Sequence, residues 1–260
     1  MKRTAILLYG LLGYLLGVAA LAYLVLFLFN LGVAKTLDSG RAGSPVPAML
    51  ADLGLIALFG LQHSVMARRP FKAWLTRFIP SAAERSTFML ATAAVTFALC
   101  LAWRPLPQPL WQVHHAMGHK LLLVGGLGGW GLVLYASFLI NHFDLFGLRQ
   151  VWLAFTGQDS TPVPFQSSGL YKVMRHPIQA GALLGVWVTP SMTVGHLVLA
   201  LGMTIYILIG VYHEEQDLIR DFGIRYRQYM KATGKFWPAL GASATAARQL
   251  DPQAPEHRPG

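Results

Sequence analysis

The chain has 260 residues, 54% hydrophobic and only 12% charged, with a mean hydropathy of +0.47. Soluble domains carry about 25% charged residues, so half that share leaves too little polarity for a water-facing surface, and the lone Cys100 excludes a disulfide scaffold. What fits is one integral membrane bundle, and the net charge of +10 has to be placed along the chain before it implies nucleic acid.

The first element is uncharged from Thr4 to Ala34, longer than the roughly 20 apolar residues that cross a bilayer. It also exceeds the short apolar core of a signal peptide, although Met1-Lys2-Arg3 precedes it. A second span is expected over Val46–Ala67, a third over Ser86–Trp103 and a fourth over Lys120–His142. Ile178–Thr189 is apolar but short and ends at Pro190-Ser191, and Val194–Tyr212 is a full span. The last two read as a helical hairpin. The expected fold is therefore an all-α integral membrane protein, a bundle of five to six transmembrane helices with a C-terminal helical hairpin and an interfacial helix.

The bases follow these elements. Counting Lys2 and Arg3 as cytoplasmic places 17 of the 21 Lys and Arg on that side and leaves only Lys35, Arg41, Arg104 and Lys120 on the other. That is the positive-inside pattern. It accounts for the basic balance without nucleic acid, and predicts a multi-pass protein of the bacterial inner membrane with both termini cytoplasmic. The loop Arg68–Arg85 interleaves bases with Phe71, Trp74 and Phe78, the composition of a segment lying among head groups. Between Phe143 and His176, Gly157, Pro162, Pro164 and Gly169 predict an irregular start. His213–Met230 reads as one amphipathic helix, with Leu218, Phe222, Tyr226 and Met230 on one face. The Ala-, Pro- and Gln-rich tail is expected to be disordered. The expected organisation is a bundle over 1–142, a functional region over 143–238 and the tail over 239–260.

Polar residues beside spans are costly, so their clustering is informative. Of eleven acids, four fall within eight residues: Glu214, Glu215, Asp217 and Asp221. A hairpin returns to the side it left, which brings Glu214 and Glu215 at its exit towards Arg175 and His176 at its entry. Such a pocket suits a zwitterion, with a carboxylate on Arg175 and an ammonium on the glutamates. The same placement equally suits a plain Arg175–Glu215 ion pair stapling the hairpin.

Arg175-His176-Pro177, then Gly181 and Trp187, Glu214-Glu215 with Leu218, Phe222-Gly223, Tyr226 and Tyr229, and a closing Phe236-Trp237-Pro238 resemble the isoprenylcysteine carboxyl methyltransferase and phospholipid methyltransferase superfamily over roughly 169–238. The resemblance implies S-adenosylmethionine as cofactor, bound with the help of Tyr171, Arg175, His176, Glu214 and Glu215, and methyl transfer at the membrane interface. Gln179 stands where that superfamily often has Tyr. In the N-terminal half, Gly60–Arg68, Glu84–Thr87, Trp103-Arg104-Pro105 and Asn141–Gly147 look like the bacterial methanethiol S-methyltransferases, a subgroup related to membrane proteins associated with nitrite and nitric oxide reductase operons. The implied acceptor is the small thiol methanethiol and the product dimethyl sulfide. A thiol must be ionised to attack a sulfonium in line. His63 within the second span and His142 at the end of the fourth are the candidate catalytic bases; each also fits a hydrogen-bonded packing histidine.

Three further patterns have plainer readings. Gly126–Gly131 matches GxGxxG, but no strand precedes it, so close helix packing is expected. His115 and His119 are at i, i+4, a metal-ligand spacing, but lack a nearby carboxylate, and no metal is expected. Cys100 is mid-span and packs. Alternatives stay open: a prenyl-cysteine or lipid methyl acceptor; an NADPH-dependent membrane reductase sharing the Arg-His-Pro pattern; and a non-enzymatic, haem-related membrane partner of nitrogen-oxide metabolism, given nine histidines.

Overall fold

The computed structural model describes residues 2–159, 161 and 169–239. The disordered tail expected beyond Ala239, and Pro162 and Pro164, lie outside the described residues. Five helices are long and apolar enough to cross a membrane: α1 (Lys2–Leu28), α2 (Pro45–Ala67), α4 (Glu84–Ala102), α5 (Ala116–Ile140) and α9 (Val194–Phe222). Shorter helices are α3 (Arg69–Leu75), α6 (His142–Leu145), α7 (Leu148–Thr156), α8 (Pro177–Trp187) and α10 (Ile224–Ala232), and one antiparallel pair joins β1 (Pro109–Gln112) to β2 (Ser191–Thr193). The chain is thus an all-α, multi-pass membrane protein. Large apolar side chains such as Leu15, Leu61 and Val124 point outward from the long helices, as lipid-facing residues do.

Two sets of contacts define the ends of the bundle. At one end Tyr9 meets Thr87, Tyr14 meets His142, and Arg68 meets Asp217. At the other Phe27 packs on Trp103, the Arg104 amide donates to Asp52, and Thr193 donates to Asp38. The chain therefore runs from one end of the bundle to the other six times, and the short α8 begins the fifth of these passes. At 11 residues, α8 rises only about 16 Å, half of a roughly 30 Å hydrocarbon core. Extended chain from Val188 completes the crossing.

Extended backbone at that depth needs partners within the protein, and it has them. Val113 N–H donates to Pro190 O, Val194 N–H to Gln108 O, and Gly195 N–H to Leu106 O. Thr189 Oγ1 donates to Ser191 O, and buried His196 pairs its Nε2 with Val186 O at 2.8 Å.

The first span ends earlier than the uncharged run, because Asn30 turns the chain in the left-handed region (φ 56°) and 29–44 folds back over the bundle end, burying Leu37 completely. The single amphipathic helix expected over His213–Met230 is two helices. α9 continues unbroken to Phe222, and Gly223 at φ 57° interrupts the ladder in a conformation glycine adopts without a Cβ clash. The segment expected to start irregularly contains α6 and α7, started by the Asn141 side chain, which accepts from the Asp144 amide. His115 is the N-cap of α5, accepting from Gly118 N–H. α3 and the residues after it carry Phe71, Trp74 and Phe78 in a ring-to-ring row, with Trp74 and Phe78 exposed.

Within the GxGxxG run, Gly126 and Gly129 form a packing face. The most extensive helix contact is α5 on α8, and a Cβ on Gly129 would stand 2.5 Å from Gly185 N and 2.7 Å from Gly181 O. Those neighbours are backbone and cannot yield. Gly129→Ala is expected to push α8 off α5 and destabilise by about 1–3 kcal/mol or more, read as a lower unfolding temperature in detergent. Gly131→Ala, which meets nothing within 4 Å, is the matched control and should unfold like the parent.

Candidate active site

Pro177 occupies the first turn of α8, where its missing N–H has no helical partner to lose. The residues before it are therefore extended, and they dock on the chain that follows α10. Arg175 N–H donates to Gly234 O at 2.9 Å, His176 N–H to Lys235 O at 3.1 Å, and Gly234 N–H back to Val173 O at 3.1 Å. This short parallel contact ties the hairpin entry to the C-terminal segment and fixes both side chains above the last turns of α9.

Buried Glu215 is the centre of the cluster. Its Oε1 accepts from Arg175 Nε at 2.9 Å and pairs with His176 Nε2 at 3.2 Å, and its Oε2 lies 3.1 Å from Lys235 Nζ. The Arg175 side chain is only 8% exposed and also donates to the carbonyls of Met230 and Thr233. The stapling ion pair is thus formed, and it holds the C-terminal segment as well as the hairpin. Lys235 is the participant that the sequence reading missed; its signal was its place directly before the Phe236-Trp237-Pro238 motif.

Glu214, one residue earlier, is different: its side chain is 49% exposed. Its Oε2 accepts from Gln179 Nε2 at 3.2 Å and stands 3.8 Å from His176 Nδ1. A carboxylate bound by Arg175 and Lys235 is an acceptor, so the His176 proton belongs on Nε2 and leaves Nδ1 as a lone pair. Two acceptors, Nδ1 and Glu214 Oε2, then stand 3.8 Å apart. Gln179, the departure from the superfamily pattern, supports one of them. Tyr171 is buried beside this group and its carbonyl accepts from Tyr229 Oη at 2.6 Å. Burial first, and then the Glu214 charge, push its phenol above the ordinary tyrosine value. The five residues expected to bind the cofactor are therefore together at one end of the bundle.

The two candidate bases sit elsewhere. His142 is buried, with Nδ1 2.8 Å from Ser137 Oγ and Nε2 3.2 Å from Tyr14 Oη, and its ring stacks on Phe138 and Phe146. Burial also lowers its proton affinity. His63 faces Thr92 Oγ1 at 3.4 Å and packs against Phe59, Phe88 and Tyr206. Its neighbour Gln62 donates to the same threonine. The N-terminal motifs interlock around them: Arg85 donates to Leu145 O at 2.7 Å and covers the Phe88 ring.

Removing one partner from a buried ion cluster leaves the other charge uncompensated, which costs about 3–5 kcal/mol. Arg175→Ala and Glu215→Ala should therefore lower the unfolding temperature and membrane yield, whereas Glu214→Ala should leave both nearly unchanged; equal losses in all three would contradict the division of labour between the glutamates. Burial holds the His176 imidazole below the usual histidine value, against the pull of Glu215. Stability is then intact above about pH 6.5 and declines as pH falls, since the unfolded chain takes up a proton that the folded chain resists. Thermal unfolding between about pH 7 and pH 5 should show that decline, and His176→Gln should flatten it.

Relatives agree with this construction. No family model and no solved structure matches the chain. A protein from Pseudomonas deceptionensis named methanethiol S-methyltransferase is 46% identical over 238 residues, 92% of this chain and 91% of its own. One of the same name from Crocosphaera subtropica is 42% identical over 241 residues, 93% and 94% of the two chains. Nurim from Sus scrofa is more distant, 30% identical over 176 residues, 64% of this chain and 66% of its own. Matched over almost the whole of both chains by proteins of that name, this chain belongs to the methanethiol S-methyltransferase family.

Proposed function

We propose that the chain is a membrane-embedded, S-adenosylmethionine-dependent methyltransferase that converts methanethiol to dimethyl sulfide. The observation that supports the cofactor is the closeness of two acceptors, His176 Nδ1 and Glu214 Oε2 at 3.8 Å, with the Glu214 side chain half exposed beside the Arg175–Glu215–Lys235 cluster. An amino-acid ammonium suits such a pair of neighbouring acceptors, so the residues present fit this cofactor. The acceptor substrate rests on the relatives' name and near-complete coverage. Bound, the cofactor supplies an electrophilic methyl on a sulfonium; the thiol sulfur takes it as the old carbon–sulfur bond breaks, a proton leaves the thiol, and the products are dimethyl sulfide and the demethylated thioether.

This chain's residues divide the work. Glu214, held by Gln179, and His176, held by Glu215, hold the ammonium; Tyr171 lines the same place. Arg175 and Lys235 fix Glu215 and through it the His176 tautomer, which makes them positioning residues. His63 is the better placed of the two bases, because both His142 nitrogens are engaged and its ring is clamped. The site end holds Lys2, Arg3, Arg68, Arg69, Arg175 and the α10 bases, so the positive-inside pattern sets it in the cytoplasm, with the chain in the bacterial inner membrane.

Glu214→Gln keeps the shape and removes the charge; it is expected to weaken S-adenosylmethionine binding at least about tenfold, as loss of a charge-assisted bond does, while unfolding temperature is retained. His63→Gln is expected to lower kcat by about 10²-fold with cofactor affinity unchanged, and His142→Gln to lower stability instead. Headspace analysis for dimethyl sulfide, with purified protein, methanethiol and S-adenosylmethionine, tests the whole reading: methylation of a lipid or prenyl-cysteine with no dimethyl sulfide would overturn the acceptor.

A further inference from the structure

A charge beside hydrocarbon is normally held by an opposite charge, and the arginines of this chain keep that rule with one departure. Among the described residues that are not exposed, Arg68 pairs with Asp217, Arg149 with Asp144 and Arg175 with Glu215. Arg85, in the first turn of α4, is half-buried as well, yet no described carboxylate stands within ion-pair distance of it. The acids whose charge it feels are engaged elsewhere: Glu84 with Lys72 at 3.7 Å and Asp144 with Arg149 at 3.0 Å.

Its guanidinium is nevertheless fixed. Nε donates to Leu145 O at 2.7 Å, and Cζ stands 4.8 Å over the Phe88 ring. Those contacts leave both terminal nitrogens without a hydrogen-bond partner among the described residues. Nor are they sealed in: the buried polar atoms without partners are others, such as Asp52 Oδ2 and Trp103 Nε1. A fixed guanidinium fork, unpaired and open to an incoming group, is what the recognition of an anion requires.

The chemistry that forms an anion lies beside it. The His63 ring packs on the same Phe88, with ring centres 4.7 Å apart, so Phe88 touches both groups. His63 Nδ1 faces Thr92 Oγ1 at 3.4 Å. Its Nε2 has no described partner and is not sealed in either. The ring also meets Tyr206 of α9, centres 6.0 Å apart. Because α4 starts at the site end and α9 finishes there, Arg85 stands nearer that end than Thr92, and Glu214 nearer than Tyr206. The arginine and the cofactor-side glutamate are therefore both on the site side of the His63 layer.

We propose that Arg85 is a catalytic residue, whose free guanidinium nitrogens hold the sulfur of the methyl acceptor as a thiolate while His63 Nε2 takes the thiol proton. The S–H bond breaks, its electron pair stays on sulfur and its proton moves to Nε2, with the Nδ1 proton donated to Thr92. The sulfur then takes the methyl as the cofactor's carbon–sulfur bond breaks, and the imidazolium returns its proton to water. Positive charge beside a thiol stabilises the thiolate, and it does so more strongly next to an apolar ring, where screening is weak. His63 supplies a base, and Arg85 the counter-charge that a base alone lacks.

The inference rests on the methanethiol reading above, and purified protein separates the two. Removing one donor from a stabilised anion costs about 10²–10³-fold, so Arg85→Gln is expected to lower kcat/KM for methanethiol about 10²-fold with the S-adenosylmethionine Kd unchanged. Arg85→Lys keeps the charge without the fork that reaches Leu145 O, and is expected to recover at least about tenfold of that loss; an arginine with only a structural role would fare no better as Lys than as Gln. Thiocyanate, a small sulfur-bearing anion, is expected to compete with methanethiol and not with S-adenosylmethionine, and to inhibit Arg85→Gln at least about tenfold more weakly. Exposed Arg77→Gln is the control and should match the parent throughout. Unchanged kcat/KM in Arg85→Gln, equal losses in Gln and Lys, or a loss that falls on cofactor affinity overturns the thiolate site while dimethyl sulfide still forms. Should the Gln variant fail to insert, thiocyanate on the unmodified protein decides: no inhibition, or inhibition that methanethiol does not relieve, overturns the site. No dimethyl sulfide from the unmodified protein overturns the enzyme reading and the site with it.

Discussion

One buried carboxylate organises the working end of this molecule. Glu215 sits on the last turns of a membrane helix, where an isolated negative charge is costly, and three cationic or hydrogen-bonding groups from two places in the sequence converge on it. Arg175 comes from the hairpin entry, His176 from the residue before α8, and Lys235 from beyond α10. Because each has to reach the same two oxygens, the entry strand, α9 and the C-terminal segment are held in one arrangement. The His176 tautomer follows from that arrangement, and so does the direction in which its free nitrogen faces Glu214. The ion pair that looks like a mere staple is therefore what orients His176 beside Glu214.

A second constraint comes from the bilayer. α8 is too short to cross, so its continuation has to bring its own hydrogen-bond partners. β1, the loop after α4 and the His196 ring provide them. Close packing on α5 is the other half of this solution, since backbone meets backbone at Gly129 and Gly181. The short crossing is the price of placing Arg175, His176 and Pro177 at an extended entry instead of within a long helix. Rigid support around that entry keeps Arg175 and His176 against Glu215.

Much of this was legible before any fold was known. The uncharged runs located the long helices but not all their ends, since α1 stops at Leu28 and α9 runs on to Phe222, and the placement of bases predicted that both termini share a side. The four acids crowded after the last apolar run marked the site, because charge next to hydrocarbon is rarely idle. Harder to read were α7, an amphipathic helix hidden in a loop rich in glycine and proline, and the break at Gly223, where one residue's backbone conformation divides a continuous amphipathic pattern. Lys235 was harder to read for another reason: its place before Phe236-Trp237-Pro238 was the one hint, and only a contact across twenty residues gives it a role.

The sequence by itself determined the number of long apolar helices and the residue types available at one end, because those depend on composition along a single segment. The tertiary structure alone decided which glutamate is consumed by the fold and which stays half exposed. Glu214 and Glu215 are identical in chemistry and adjacent in the chain, but α9 turns by about 100° between them, and that rotation puts one against Arg175 and Lys235 and the other at the half-open edge beside Gln179.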